Sequence, residues 1–182
     1  MRLELIQTVS VGATPAAQVS FDVSGVSADY VDLYLYISAR TNQTIPYFWE
    51  SLQLGFNNYA GTWRGITQAR NNSTPYGAVD NSGLTYSVWA GMYAASNASA
   101  NTFGISTIYI PDWRASHEKP VMLDSAAPQA AYGAQQMGGS RWLNSSAITS
   151  IQIRPGGSHS FVQHSLISLY GVSSASGGVT VS

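Results

Sequence analysis

The chain contains no cysteine among its 182 residues, which excludes disulfide bonds and thiolate metal sites. Charge is also scarce, because 8 Lys and Arg with 9 Asp and Glu make up only 9% of the residues, against roughly 25% in an average soluble domain. The net charge of −1 comes with no basic run, so the clustered cations that bind nucleic-acid phosphates are missing. No apolar stretch approaches the roughly 18 residues of a membrane-spanning helix. We therefore expect neither a nucleic acid nor a membrane as partner.

What the chain does contain is apolar and uncharged polar. Hydrophobic residues make up 45% and aromatic residues 12%, too much for an intrinsically disordered chain. Ser, Thr, Asn, Gln and Gly take the place of the missing charge. Because charge keeps free proteins apart in solution, such a surface is typical of a protein that is assembled, secreted or bound to sugars. The length fits one domain, which we place at residues 1–172, followed by a Gly/Ser-rich tail over 173–182.

Alternation with period two dominates the sequence. Over residues 31–39 every second side chain is apolar, which predicts a strand with one face on a core. About nine or ten such segments are separated by Gly, Asn, Ser and Pro clusters, and this spacing favours a β-sandwich or barrel. The one stretch with helical character is 126–136, and Pro128 and Gly133 interrupt it. The chain is therefore predicted to be all-β.

The residues that could carry catalysis or a metal are poorly placed. A glycosidase needs two carboxyl groups on either side of the scissile bond, and no predicted strand has two acids on one face, although Asp22 and Asp32 could meet across a sheet. No G-x-S-x-G nucleophile elbow occurs. His159 and His164 are five apart, which puts them on opposite faces of a strand. A metal held by one His from each of two strands, or from each subunit on a three-fold axis, stays open. We expect no enzyme, no metal and no cofactor.

The five tryptophans and 11 tyrosines have two interpretations. Sugars stack on flat aromatic faces, but Trp and Tyr are also large core and subunit-interface residues. Three aromatic residues stand in predicted loops and are candidates for exposed contact with a glycan or a protein partner: Trp63, Tyr76 and Trp113. Trp89 and Trp142 lie in strand patterns, and we expect both to be buried.

Three further tyrosines lie in or beside the clearest predicted strand. They are Tyr30, Tyr34 and Tyr36, and the alternation places Tyr34 and Tyr36 opposite the apolar face. A strand with such a second face suits an interface. These three residues are therefore the candidate subunit interface.

Eight short segments follow one another in a recognisable order. They are YVDLYLYISAR at 30–40, LGFN at 54–57, ANTFG at 100–104, IYIP at 108–111, Trp142, AITSI at 147–151, Phe161 and LYGV at 169–172. Each alone reads as a strand with a turn. In this order they resemble segments of a family of tailed-bacteriophage virion proteins, and the resemblance covers residues 17–172.

The resemblance implies a jelly-roll β-sandwich of about 8–10 antiparallel strands on the outside of a phage particle. It implies a capsid cement or decoration protein that binds the major capsid protein and stabilises neighbouring capsomers, commonly as a homotrimer. The alternative is a head-fibre or tail-fibre module that recognises host surface polysaccharide. We favour decoration, because we expect a fibre protein to carry an N-terminal attachment segment, whereas this chain opens on a predicted strand. No catalytic residue is implied.

Overall fold

The computed structural model describes residues 2–44, 49–71, 74–80, 88–128 and 133–173, with side chains described at all of these except 49–50, 66–71, 74–80, 88–89, 128 and 133–134. The described residues form strands and loops and contain no helix. The strands, in chain order, are β1 (Arg2–Ser10), β2 (Val19–Asp22), β3 (Tyr30–Ala39), β4 (Trp49–Phe56), β5 (Trp63–Asn71), β6 (Thr74–Asp80), β7 (Val88–Ala94), β8 (Gly104–Ile110), β9 (Lys119–Pro128), β10 (Gly133–Trp142), β11 (Ser150–Pro155) and β12 (Leu166–Ser173).

The strands form two antiparallel sheets that pack as a sandwich. The large sheet has the order β1-β12-β3-β8-β9-β10-β5-β6, and the small sheet has the order β2-β11-β4-β7. The predicted all-β sandwich is therefore confirmed. No helix in the described part of the chain is long and apolar enough to cross a membrane.

The core lies between the sheets and follows the alternation of the strands. In β3 the side chains of Leu33, Leu35 and Ile37 are fully buried, while the residues between them are half-buried on the other face. The small sheet contributes buried side chains such as Phe21 and Phe56. Each apolar side chain of this size stabilises the fold by about 1.5–3 kcal/mol when it is fully buried.

Two glycines allow β7 to approach the large sheet closely. Gly91 has φ +143°, and a Cβ on it would lie 2.4 Å from Ser106 Oγ. A Cβ on Gly104 would lie 2.6 Å from the Cα of Tyr93. Both distances are too short for any side chain. Gly104 therefore lets the backbones of β8 and β7 touch, and Gly91 leaves room for the Ser106 side chain.

Backbone carbonyl oxygens bound to cations hold the loops at the ends of the sandwich. The guanidinium of Arg40 donates to the carbonyl oxygens of Ser96, Ala98, Ser99 and Thr102 at 2.7–3.0 Å. Four carbonyls of one loop are therefore fixed to the end of β3.

Arg114 and Lys119 do the same for other loops. Arg114 donates to the carbonyls of residues 26, 27 and 30. The fully buried Lys119 donates to the carbonyls of His117 and Ser146, and its ammonium lies 6.0 Å from the centre of the Trp142 ring. Burial lowers the pKa of the Lys119 ammonium, and the two carbonyls and the ring face replace part of its lost hydration.

The segment with helical character proved to be a hairpin. Residues 119–128 and 133–142 are β9 and β10, and Pro128 pairs with Gly133. Buried and exposed side chains alternate along β9 from Val121 to Ala127, which is the period of a strand. The weak helical character of residues 126–136 therefore does not produce a helix, in agreement with the predicted all-β fold.

The end of the last strand also differs slightly from expectation. Strand β12 includes Ser173, so the first residue of the proposed tail over 173–182 belongs to the large sheet. Residues 174–182 lie outside the described residues.

Replacing Gly91 with valine is expected to destabilise the fold by about 2–4 kcal/mol, because the new side chain meets Ser106 and Gly91 has a positive φ. Gly12→Val is the matched control, since a Cβ on Gly12 has no neighbour within 4 Å. Urea unfolding of both variants measures the difference. Equal midpoints for the two variants would contradict the close approach of the sheets.

Candidate docking face on the large sheet

The outer surface of the large sheet carries a row of apolar and aromatic side chains that crosses five strands. Strand register places Leu5 beside Tyr170, Tyr170 beside Tyr34, Tyr34 beside Tyr109, and Tyr109 beside Met122. We call these five residues the central row. The tyrosines are half-buried, whereas Leu5 is 58% and Met122 is 65% exposed.

Further apolar side chains surround the central row on the same surface. Six large apolar side chains are exposed in the described part of the chain, and five of them lie here: Leu3, Leu5, Ile105, Met122 and Met137. Together with Tyr34, Tyr36, Tyr109 and Tyr170 they form what we call the tyrosine–methionine face. Contiguous apolar patches on soluble proteins commonly mark interaction sites.

A hydrogen bond joins the tyrosine in the middle of this face to a half-buried carboxylate. Tyr109 donates its hydroxyl proton to Asp32 at 2.5 Å, and Asp32 also accepts from the backbone N–H of Asp112 at 2.9 Å. Burial, and then the bond to Asp32, raise the pKa of Tyr109 to about 12. Tyr109 therefore stays uncharged at any physiological pH, and the Asp32 carboxylate is occupied by two donors.

A shallow groove of about 190 Å³ lies between β8, β9 and β10 on this surface. Its lining residues are Ile105, Thr107, Asp124, Ser125, Ala126 and Gln135. Asp124 is exposed and has no salt bridge to any described residue. The groove thus places a single carboxylate in a largely apolar surface.

The outer surface of the small sheet has the opposite chemistry. Its side chains bond to each other: Gln18 donates to Ser20 at 2.7 Å, Tyr59 donates to Gln18 at 3.0 Å, Arg154 donates to Gln53 at 2.8 Å, and Gln152 donates to Ser150 at 2.8 Å. These polar groups remain satisfied in contact with water. Among the described side chains the two outer surfaces of the sandwich therefore differ, and the broad apolar area lies on the surface of the large sheet.

The two loop tryptophans are buried rather than exposed. Trp63 is 0% exposed and packs on Phe56 with ring centres 4.9 Å apart. Trp113 is 1% exposed, and its indole N–H donates to the carbonyl of Tyr30 at 3.2 Å, while the Arg114 guanidinium covers its ring. The prediction that both are exposed contact residues is wrong, because Trp63 points inward from β5 and the loop of Trp113 folds back over the end of the sandwich. The side chain of the third candidate, Tyr76, lies outside the described residues.

The three candidate interface tyrosines do not share one surface. Tyr34 and Tyr36 are half-buried on the outer surface of the large sheet. Gly171 pairs with the buried Leu33 and so has its missing side chain on the core side, and a Cβ there would lie 2.3 Å from the Tyr30 ring. Grouping Tyr30 with the other two is therefore wrong.

An irregularity in strand pairing explains the position of Tyr30. The register between β12 and β3 shifts between Val172 and Ser173, which moves Tyr30 to the other face. Its hydroxyl donates to Glu4 at 2.8 Å. Tyr30 thus covers the core edge and does not contribute to the tyrosine–methionine face.

The residues considered for catalysis are not brought together. Asp22 lies on β2 in the small sheet and Asp32 on β3 in the large sheet, so the two acids do not meet across one sheet, as the sequence had allowed. His159 and His164 lie between β11 and β12 rather than on a strand. Within the described ranges, no three His, Cys, Asp or Glu side chains lie close enough to hold a metal ion.

Comparison with known protein families, curated protein sequences and solved structures finds no match. The contrast between the two outer sheet surfaces therefore carries the functional interpretation.

Replacing Trp113 with alanine is expected to destabilise the protein by about 3–5 kcal/mol, the usual cost of removing a buried large aromatic ring. Trp113→Phe keeps most of the packing and is expected to cost less. Met137→Ala, at a site that is 56% exposed, is the control and is expected to change stability by under about 1 kcal/mol. Denaturant unfolding measures all three, and a Trp113→Ala cost as small as that of Met137→Ala would show that the ring is not buried.

Proposed function

We propose that the protein is a capsid cement or decoration protein of a tailed bacteriophage. It binds the major capsid protein on the outer surface of the head shell, associates with copies of itself, and stabilises neighbouring capsomers. The observation that carries the structural part of this proposal is the tyrosine–methionine face. The phage assignment comes from the order of the eight sequence segments.

The composition of the tyrosine–methionine face supports a protein partner. Protein–protein interfaces are enriched in aromatic residues and Met and depleted of charge at their centre. Here Tyr34, Tyr109, Tyr170 and Met122 occupy the central row, and the nearest described charge without a partner is Asp124. A surface that lacks charge and exposes methionines is better covered by protein than left in water.

The order of the strands supports the jelly-roll interpretation. The large sheet has eight strands, four more than one sheet of a jelly roll. Without the β9–β10 hairpin and the β1–β12 pair at one end, its order is β3-β8-β5-β6, and the order of the small sheet is β2-β11-β4-β7. Along the chain these eight strands pass repeatedly from one sheet to the other. Eight strands in two such sheets form two Greek keys, an architecture that is found in viral capsid proteins and lectins.

The alternative is a head-fibre or tail-fibre module that binds host surface glycans. It needs exposed aromatic rings in loops, and two of its three candidates, Trp63 and Trp113, are buried. The tyrosine–methionine face therefore favours a protein partner over a sugar.

The proposal is tested on particles of the phage that encodes the protein. Electron cryomicroscopy is expected to show its density on the outside of the head shell. Heads assembled without the protein are expected to rupture at a lower temperature, because capsomer joints loaded by the packaged genome lose a contact. Adding purified protein is expected to restore the rupture temperature. Heads with no such density, and with the same rupture temperature, would overturn the proposal.

A further inference from the structure

We infer that the tyrosine–methionine face binds the same face of a second copy of the chain, sheet against sheet, about a two-fold axis that runs along the central row. The inference deepens the proposed function by naming the partner of this face, and it rests on that function only in taking the face as an interface. A two-fold pair differs from the trimer that the sequence resemblance implies.

Asp124 and Arg141 lie on opposite sides of the central row, and the carboxylate of Asp32, which Tyr109 binds, lies on the Arg141 side. Met122 pairs with Gly139. Asp124 lies two residues from Met122 in one direction along β9, and Pro120 lies two residues away in the other direction. Pro120 pairs with Arg141, so the acid and the arginine stand about 7 Å on either side of the row, at about 3.4 Å per residue.

With a two-fold axis along the row, the acidic side of each copy faces the basic side of the other. Rotation about that axis reverses the strand direction, so the Asp124 side of one copy meets the Arg141 side of the other. Arg64 pairs with Arg141 across β5 and β10 and extends the basic side. Arg64 and Asp124 are both exposed, and neither has a salt bridge to a described residue. Arg141 is already bound to Glu118 at 3.0 Å, so the opposite charges that meet twice in the pair are those of Asp124 and Arg64. Such contacts fix orientation and register.

Each residue on the axis contacts the same residue of the second chain, so a charged residue there would face a like charge. The central row consists of Leu5, Tyr170, Tyr34, Tyr109 and Met122 and contains no charged residue. The hydrogen bond from Tyr109 to Asp32 removes the nearest carboxylate from free contact. A row of neutral, polarisable side chains is what self-contact requires.

The area is sufficient for a stable pair. The face covers six neighbouring strands, which are β1, β12, β3, β8, β9 and β10. These strands are spaced by about 4.8 Å, and four layers of outward side chains span about 24 Å along them. The face therefore covers roughly 700 Å² in each copy, close to the ~800 Å² per partner of a standard interface. Twisted sheets of this kind pack about 10 Å apart with their strands near −30°.

Cysteine cross-linking tests the axis directly, because the chain has no cysteine of its own. In the proposed pair, Met122→Cys places two thiols opposite each other across the axis. Under mild oxidation this variant is expected to form a disulfide-linked pair at least tenfold faster than Ser20→Cys. Ser20 is the matched control, since it is exposed on the outer surface of the small sheet. Equal rates for the two variants would overturn the inference.

Sedimentation of the intact chain tests the stoichiometry and the charge pairing. The wild type and Ser20→Glu are expected to sediment as two chains at about 100 µM, within the range where interfaces of this size assemble. Met122→Glu is expected to sediment as one chain, because two carboxylates would face each other. Asp124→Arg is expected to weaken the pair at least tenfold, and adding Arg64→Asp is expected to restore most of it.

The outcomes separate this inference from the proposed function. A wild type that sediments as one chain or as three overturns the pairing, whether or not the protein decorates phage heads. Pairing without any density on the head shell supports the inference and overturns the decoration role.

Discussion

Cations bound to backbone carbonyl oxygens hold the loops of this sandwich in place, and the surface chemistry follows from that use of charge. Arg40, Arg114 and Lys119 together bind nine carbonyl oxygens. Hydrogen bonds to charged groups contribute about 1.5–3 kcal/mol each when they are well made. Three of the chain's 8 cations are therefore committed to loops. The other five lie on strands, where most outward side chains are neutral: Arg2, Arg64, Arg70, Arg141 and Arg154.

The strands whose two faces differ in chemistry were predictable from sequence. In β3 the apolar side chains from Leu33 to Ala39 alternate with tyrosine and polar ones, and the apolar set is the buried set. In β8 the pattern holds only in part, because Ile108 and Ile110 are buried but Ile105 is exposed and Ser106 is buried. The β9–β10 hairpin escaped this reasoning because Ala, Gln and Gly dominate residues 126–139 and provide no apolar period. Pro128 and Gly133, interpreted as interruptions of a helix, are instead the paired residues at the adjoining ends of β9 and β10. These residues have only a weak local preference for strand or helix, and their pairing with β8 and β5 decides that they form strands.

The candidate site was predictable only in part. Alternation within β3 is sufficient to place Tyr34 and Tyr36 on the outer surface. The position of Tyr30 depends on an irregularity in pairing with β12, more than 140 residues away in sequence, and no local pattern encodes it. The burial of Trp63 and Trp113 likewise depends on where their segments fold, because a tryptophan beside Gly or Pro has the same local sequence whether it points inward or outward. The apolar side chains of Met122 and Met137 become a surface only when β9 and β10 join the sheet.

Strand β12, the last described strand in the chain, lies between β1 and β3. The large sheet can therefore be completed only after β12 has been synthesised. Arg2 pairs with Ser173, so the first described residue bonds to the last one. Contacts between residues so far apart in sequence raise the contact order, and chains with high contact order fold slowly. During synthesis β1 has no partner strand until β12 has emerged, and Ile6 and Val9, which pack against the core in the finished fold, stay uncovered for that time. The edge of the growing sheet is then free to pair with any other strand. The order of synthesis therefore creates a risk of wrong strand pairing that is not visible in the finished fold.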